Sequence, residues 1–321
     1  MTKPIDDTVR YLVEAHNGMT SEPKERIDAG EAAFLAQALE DMRAAVYEDW
    51  YPDLKARAFI PVATDVDPGA ETYSYEEQDF AGSAKVITNY ADDPPSVEVS
   101  STKITLPIVS LGDSYSYSIQ DIRRAAKAGK PLQARKARAA RDVWERGLDD
   151  IAANGHANTG LGGFINNANV NAANAPTGTW SGATVAQILA DLNTGSKTVV
   201  TQSKEKVRPN TCLLPIDQYL LIAQTQMGSG DTRTVLEAFL ASNPWITEVA
   251  PWDVLNGAGA GSTDRSIFYR KSPDVCELII PQEFEVLPPQ ARNFAFQVLC
   301  HGRTGGTAVY RPLAMYYMDN I

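Results

Sequence analysis

Three histidines, three cysteines and a few glycine turns are the residues with which this 321-residue chain could do chemistry. Metal binding would need imidazoles at ligand spacing, and His16, His156 and His301 form no H-x-x-x-H or H-E-x-x-H. Cys212, Cys276 and Cys300 stand far apart without a C-x-x-C, which fits buried free thiols in a reducing compartment. Gly228-Ser229-Gly230 comes nearest to a nucleophile turn, but the outer glycine and the preceding strand are missing, so it reads as a loop. Gly160-Leu161-Gly162-Gly163 has the glycine density of an anion cradle. No helix clearly follows it, and a tight turn is the better reading. There is no P-loop, no G-x-G-x-x-G after a strand, and no carboxylate pair that stands out for acid–base work. No catalytic site, cofactor or bound metal is expected.

What the chain does carry is segregated charge. Its net charge of −11 argues against a general nucleic-acid binder, because phosphate contacts need clustered Lys and Arg. A container into which an external motor drives DNA is still compatible with it. Residues 65–98 hold nine acids (Asp65, Asp67, Glu71, Glu76, Glu77, Asp79, Asp92, Asp93, Glu98) and one base, Lys85, a net of −8. Residues 123–141 hold eight bases (Arg123, Arg124, Lys127, Lys130, Arg135, Lys136, Arg138, Arg141) and no acid. Two solvated faces would explain part of this. Arg138–Asp142 and Arg141–Glu145 are available as i,i+4 pairs, worth about 0.2–0.5 kcal/mol each. Yet bases lead and acids follow along one helix, against the macrodipole preference. These charges answer to something outside the helix.

The elements that must position them follow from periodicity. Over 131–153, Ala137, Ala140, Trp144, Leu148 and Ile151 recur at steps of three and four, predicting a helix roughly 35 Å long with one narrow apolar face. Pro131 suits its first turn and Asn154-Gly155 its end. An amphipathic helix is expected over 28–47, a short strand over 59–62 and a short helix over 119–128. From 72 to 119 the period changes to two, through Tyr73/Tyr75, Val97/Val99, Ile104/Leu106/Ile108 and Tyr115/Tyr117. That is a long β-ribbon, which buries too little by itself and wants a partner surface. Residues 186–280 alternate helices with strands, and the tail returns to strands at 294–300, 308–310 and 315–318. No window approaches the apolar length of a membrane-spanning helix, and the polar start, residues 1–18, offers no secretory signal.

The segments YPDLKARAFIPV (51–62), the aromatic-rich 72–76, GLGGFIN (160–166) and GGTAVYRPLAMYYMDNI (305–321) resemble those of major capsid proteins of tailed bacteriophages with the Hong Kong 97-type fold. The resemblance covers nearly the whole chain. It implies an α+β fold with an N-terminal arm (1–65), an extended β-ribbon loop (66–103), a peripheral domain (104–177 and 291–321) holding the spine helix 131–153, and an axial α/β domain (178–290). It further implies self-assembly as hexamers and pentamers into an icosahedral head shell enclosing double-stranded DNA without sequence-specific binding. The shell would assemble in the bacterial host cytoplasm, with a portal and scaffold or cement proteins as further partners and no membrane. Some family members carry a long N-terminal scaffolding segment, which this chain is expected to lack. Lys85 is the candidate for a cross-linking lysine, with no motif match to carry it.

The expected contact joins the acids Glu71, Glu76, Glu77, Asp79, Asp92 and Asp93 of one subunit to Arg123, Arg124, Lys127, Arg135, Arg138 and Arg141 of a neighbour. Packaged DNA is the rival for that basic face. An encapsulin-like nanocompartment shell is the alternative of the same fold. An α/β enzyme using the 178–290 lobe is the alternative of another class.

Overall fold

The computed structural model describes residues 53–84, 96–128, 132–228 and 230–321. The helix expected over 28–47, the acids Asp92 and Asp93, and Lys85 lie outside the described residues.

The strand expected over 59–62 is instead one helical turn, Ala56–Phe59, followed by a two-residue strand, Val62–Ala63, parallel to Cys276–Ile279. The turn is fixed from outside: the Ala56 amide donates to Asp149 Oδ1 at 2.7 Å, and Phe59 and Ile60 are buried. The period-two stretch forms two ten-residue strands, Thr72–Ala81 and Glu98–Pro107, paired in unbroken antiparallel register from Thr72↔Pro107 to Ala81↔Glu98. After the buried Ile108 the chain runs into Val109–Ser118, which pairs along its whole length with Ala295–Thr304. Gln282–Val286 and Gln290–Arg292 cover the other edge of that long strand.

Helix Ile119–Ala128 begins with a reciprocal cap, the Asp121 amide donating to Ser118 Oγ and the Ser118 amide to Asp121 Oδ2. The long helix Leu132–Asn154 buries Ala140, Trp144, Leu148 and Ile151, the face its spacing predicts. Its end is closed by the glycine-rich turn. Gly155 takes φ +73°, the amides of Phe164 and Ile165 donate to the carbonyls of Ala152 and Ala153, and Asn166 Nδ2 donates to the Asn154 carbonyl at 2.8 Å. These groups satisfy carbonyls that a helix terminus otherwise leaves without partners. A Cβ on Gly163 would lie 2.3 Å from the Ala153 carbonyl oxygen, so the close backbone approach requires glycine there. The turn is thus a helix terminator, and its glycine density is explained without an anion.

A five-stranded sheet runs in the order Glu248–Pro251, Thr211–Leu214, Arg265–Tyr269, Met315–Asp319, Asn171–Asn174. Its three inner strands, Thr211–Leu214, Arg265–Tyr269 and Met315–Asp319, are buried along their whole length, with both faces covered. Leu213, Ile267, Tyr269 and Tyr317 face a core shared with Phe59, Trp144, Leu148, Phe164 and Trp252. Cys212, Leu214, Phe268, Tyr316 and Met318 face a second core, built with helices Val185–Gln202, Ile216–Gln224 and Val235–Ser242. Two of these helices open with full capping boxes, Thr184/Gln187 and Thr234/Glu237. Strand pairing divides the tail that the sequence grouped with the long helix. Ala295–Thr304 joins Val109–Ser118, whereas Met315–Asp319, apolar on both sides, pairs with Arg265–Tyr269 inside the five-stranded sheet. Two further pairings had no apolar pattern to announce them. Asn171–Asn174 is an exposed edge strand, and Gln226–Gly228 pairs antiparallel with Asp231–Thr234.

One ion pair is buried in this frame. Arg265 Nε and Nη2 fork onto Asp319 Oδ1 and Oδ2 at 2.6 and 2.9 Å, and Nη1 donates to the Ile165 carbonyl. The guanidinium carbon stands 4.6 Å over the Tyr317 ring, and the Ala260 amide donates to Asp319 Oδ2. The pair ties the last strand to the turn that ends the long helix.

Two outcomes follow for stability in denaturant unfolding. Gly163→Ala costs about 2–3 kcal/mol, because the clash is with backbone, whereas Gly162→Ala, with nothing within 4 Å of its Cβ, changes stability by under about 0.5 kcal/mol. Arg265→Met costs about 3–5 kcal/mol by leaving Asp319 buried and unpaired, and the added change Asp319→Leu recovers most of that loss.

Candidate interaction surface

Among the described residues, the ribbon is fastened at its base. Tyr310 donates its hydroxyl to Glu277 Oε2 at 2.8 Å, which leaves its oxygen to accept from the Tyr73 hydroxyl at 2.9 Å. Burial, followed by these contacts, pushes the Tyr310 phenol well above its ordinary value. Tyr75 meets the Tyr310 ring edge-on at 4.9 Å and donates to the Val309 carbonyl. The Ile108 amide donates to the Glu71 carbonyl, and Arg303 donates to the Pro68 carbonyl. Tyr73 and Tyr75 were legible as a period-two pair, but their partner Tyr310 lies more than 230 positions away and carries no sequence signal of this role.

Among the described residues, the ribbon beyond Tyr75 and Ile104 is exposed. From Glu76 to Ala81 and from Glu98 to Lys103 every residue is exposed. The expected acids Glu71, Glu76, Glu77 and Asp79 are therefore all on the surface. The expected bases Arg123, Arg124 and Lys127 are exposed on helix Ile119–Ala128, as are Arg135, Arg138 and Arg141 on the long helix. Among the described residues, no ion pair joins the ribbon acids to these bases. Arg124 stands 4.0 Å from Asp121 on its own helix, and Lys136 donates to the Ser116 carbonyl.

The two i,i+4 pairs offered by the long helix are not made. Glu145 turns away from Arg141 to Arg57 at 3.2 Å, and Arg57 also forks onto both oxygens of Glu283. The Glu283 carboxyl is held below its ordinary value, first by the hydrogen bond from Arg57. The local pairing that would have absorbed part of the basic stretch is thus diverted to tertiary contacts.

Between the inner side of the ribbon and the body lies an open cleft of about 900 Å³, lined among others by Tyr75, Glu77, Asp79, Lys206, Arg311 and Leu313. Arg311 is paired with Asp274 at 3.6 Å. Of the two serines lining the cleft, Ser203 is tied to the backbone of Val200 and Val207, and Ser100 is on the ribbon. Among the described residues, no group of three or more His, Cys, Asp and Glu could hold a metal. Burial pushes the Cys276 thiol up to about 12 and the Cys300 thiol up to about 11, the opposite of an activated nucleophile.

The comparisons bear on what such a surface is for. A family model described as major capsid protein matches residues 82–321. No curated protein matches the chain. Among solved structures, the capsid of Myoviridae phage XM1 is similar with a TM-score of 0.79 at 16% identity, covering 89% of this chain and 98% of that one. The capsid of an empty GTA particle gives 0.64 at 12% identity, covering 91% and 99%. A structure from Mycobacterium phage Bobi gives 0.62 at 11% identity, covering 89% and 97%.

The tyrosine fastening predicts a local effect. Tyr310→Ala removes an aromatic contact and two hydrogen bonds, one to a carboxylate, a loss of about 2–3 kcal/mol. Amide hydrogen exchange should accelerate by tenfold or more at residues 73–75 and 104–106, while strand Arg265–Tyr269 keeps its protection.

Proposed function

The chain belongs to the major capsid protein family and has the Hong Kong 97-type fold; as a subunit of a phage head shell, we propose, it self-assembles as hexamers and pentamers into an icosahedral container for double-stranded DNA, with no catalytic step. The observation that supports this reading is the separation of opposite charges that, among the described residues, form no ion pair with each other. The described part of the ribbon carries exposed acids, and two helices carry exposed bases. In a closed array every subunit has a neighbour, so a contact not made among the described residues of one chain can be made once per subunit.

The acids Glu71, Glu76, Glu77 and Asp79, with Asp92 and Asp93 further along the loop, lie across a neighbour's Arg123, Arg124, Lys127, Arg135, Arg138 and Arg141. The DNA inside is held by confinement, consistent with the acidic net charge, and its entry needs a portal. Scaffold or cement proteins are further partners of such a shell.

Electron microscopy of the purified protein should reveal closed shells of uniform size, and a small discrete oligomer with enzymatic turnover would overturn the reading. Particles from the native source should contain DNA; enzyme cargo without DNA would favour the nanocompartment. Reversing Arg135, Arg138 and Arg141 to Glu should lower shell yield at least tenfold and change its salt dependence. Unchanged shells with poorer DNA retention would instead assign these bases to DNA.

A further inference from the structure

Asparagine precedes glycine at 17–18, 154–155 and 256–257, a pairing in which a backbone nitrogen can reach the preceding side chain with no Cβ in its way. Asn17 lies outside the described residues. Asn154 ends the long helix, its Nδ2 donates to Asp150 Oδ1 at 2.7 Å, and Gly155 is paired with Gly162. Regular structure on both sides keeps that side chain and that nitrogen in place. Asn256 is different. It is exposed, has extended backbone (φ −67°, ψ 121°) after the short turn Asp253–Leu255, and opens a loop, 256–264, that belongs to no helix or strand.

The chemistry open to such a pair is intramolecular. The Gly257 nitrogen attacks Asn256 Cγ. The N–Cγ bond forms as Cγ–Nδ2 breaks, and the side-chain nitrogen leaves as ammonia with the Gly257 amide proton. Water then opens the five-membered imide at Cγ, giving an aspartyl residue, or at the main-chain carbonyl carbon, giving an isoaspartyl residue with one extra carbon in the backbone. One amide and one water become one carboxylic acid and one ammonia.

The proton on Gly257 governs this reaction. Gly257 has φ +67°, and its N–H donates to Asp264 Oδ1 at 2.9 Å. The nitrogen becomes a nucleophile only by losing that proton, and a carboxylate beside it opposes a second negative charge. The carboxylate is itself fixed. Gln218 Nε2 donates to its other oxygen at 2.6 Å, and the Asp264 carbonyl accepts the Asn320 amide at 2.9 Å. Inside the loop the Gly259 amide donates to the Thr263 carbonyl at 2.7 Å, which holds the segment closed.

We infer that Asn256–Gly257 is a self-modification site of this chain, held in check by Asp264. The inference is independent of the shell reading. Asparagine is not regenerated once ammonia has left. Either product sets a new carboxylate near Asp264, and the isoaspartyl form also lengthens the main chain next to the Gly257–Asp264 contact. Both changes loosen the loop from Gln218 on helix Ile216–Gln224 and from the strand Met315–Asp319, where the Ala260 amide meets Asp319.

In the test the full chain is held in warm, mildly alkaline buffer, and conversion at each asparagine is read by peptide mass spectrometry and isoaspartyl methyltransferase labelling. In the unaltered chain Asn256 should convert at least fivefold faster than Asn154. Asp264→Asn, which keeps the shape and removes the charge, should speed conversion at 256 at least fivefold and leave Asn154 within twofold. Gln218→Leu, which loosens the same loop but leaves the carboxylate, should change it by less than twofold. Circular dichroism verifies that each chain is folded. Three outcomes overturn the inference: slower conversion at 256 than at 154 in the unaltered chain, equal effects of Asp264→Asn and Gln218→Leu, or slower conversion in Asp264→Asn, which would make the carboxylate the base of the reaction.

Discussion

The approach of Trp144 to Gly302 is the contact on which the arrangement of this subunit depends. A Cβ at position 302 would lie 2.4 Å from the indole Cζ2, so the ring occupies space that any other residue would fill. The long helix is thereby pressed onto strand Ala295–Thr304, with Phe284 tilted against the other side of the indole at 5.7 Å. That strand pairs over its full length with Val109–Ser118, and Val109–Ser118 continues from the ribbon strand Glu98–Pro107. Seating one tryptophan therefore orients the helix that carries the bases and the root of the ribbon that carries the acids. The two charged features are held apart by the same packing.

The rest of the body keeps that frame rigid. The three inner strands of the five-stranded sheet are buried on both faces, and Met315–Asp319 is locked by a fully forked Arg265–Asp319 pair. A buried ion pair is weak evidence for net stability, since desolvating both groups offsets most of their attraction. Its directionality is what matters here. Arg265 also reaches Ile165 in the turn after the long helix, so the last strand can dock in one register only.

Against this body the described outer part of the ribbon, residues 76–84 and 96–103, is exposed throughout. Exposed ion pairs each contribute at most about 1 kcal/mol, so no single acid–base contact would hold two subunits together. Repetition changes the arithmetic. A closed array makes the same weak contact at every neighbour, and linked contacts bind far more tightly than any one alone. Weak individual contacts also let a misplaced subunit leave before the array closes around it.

The sequence by itself determined the periodic elements and the charge map. The apolar spacing of Ala140, Trp144, Leu148 and Ile151 and the period-two tyrosines report local geometry, which needs only neighbours three, four or two positions away. The segregation of acids from bases is a property of composition and needed no coordinates. The tertiary structure alone decided where those charges go. Glu145 abandons its helical partner for Arg57, 88 positions earlier, and Tyr73 finds Tyr310. The helical turn at Ala56–Phe59 exists because Asp149 receives its first amide, and the tail strand sits within the five-stranded sheet because both its faces are apolar. These outcomes depend on which distant segments pack together, and a pattern read along one segment carries no record of its partner. Register alone decided which charges face each other across the ribbon, setting Glu76 opposite Lys103 and Glu77 opposite Thr102, since a shift of one residue in pairing would have placed different residues opposite one another.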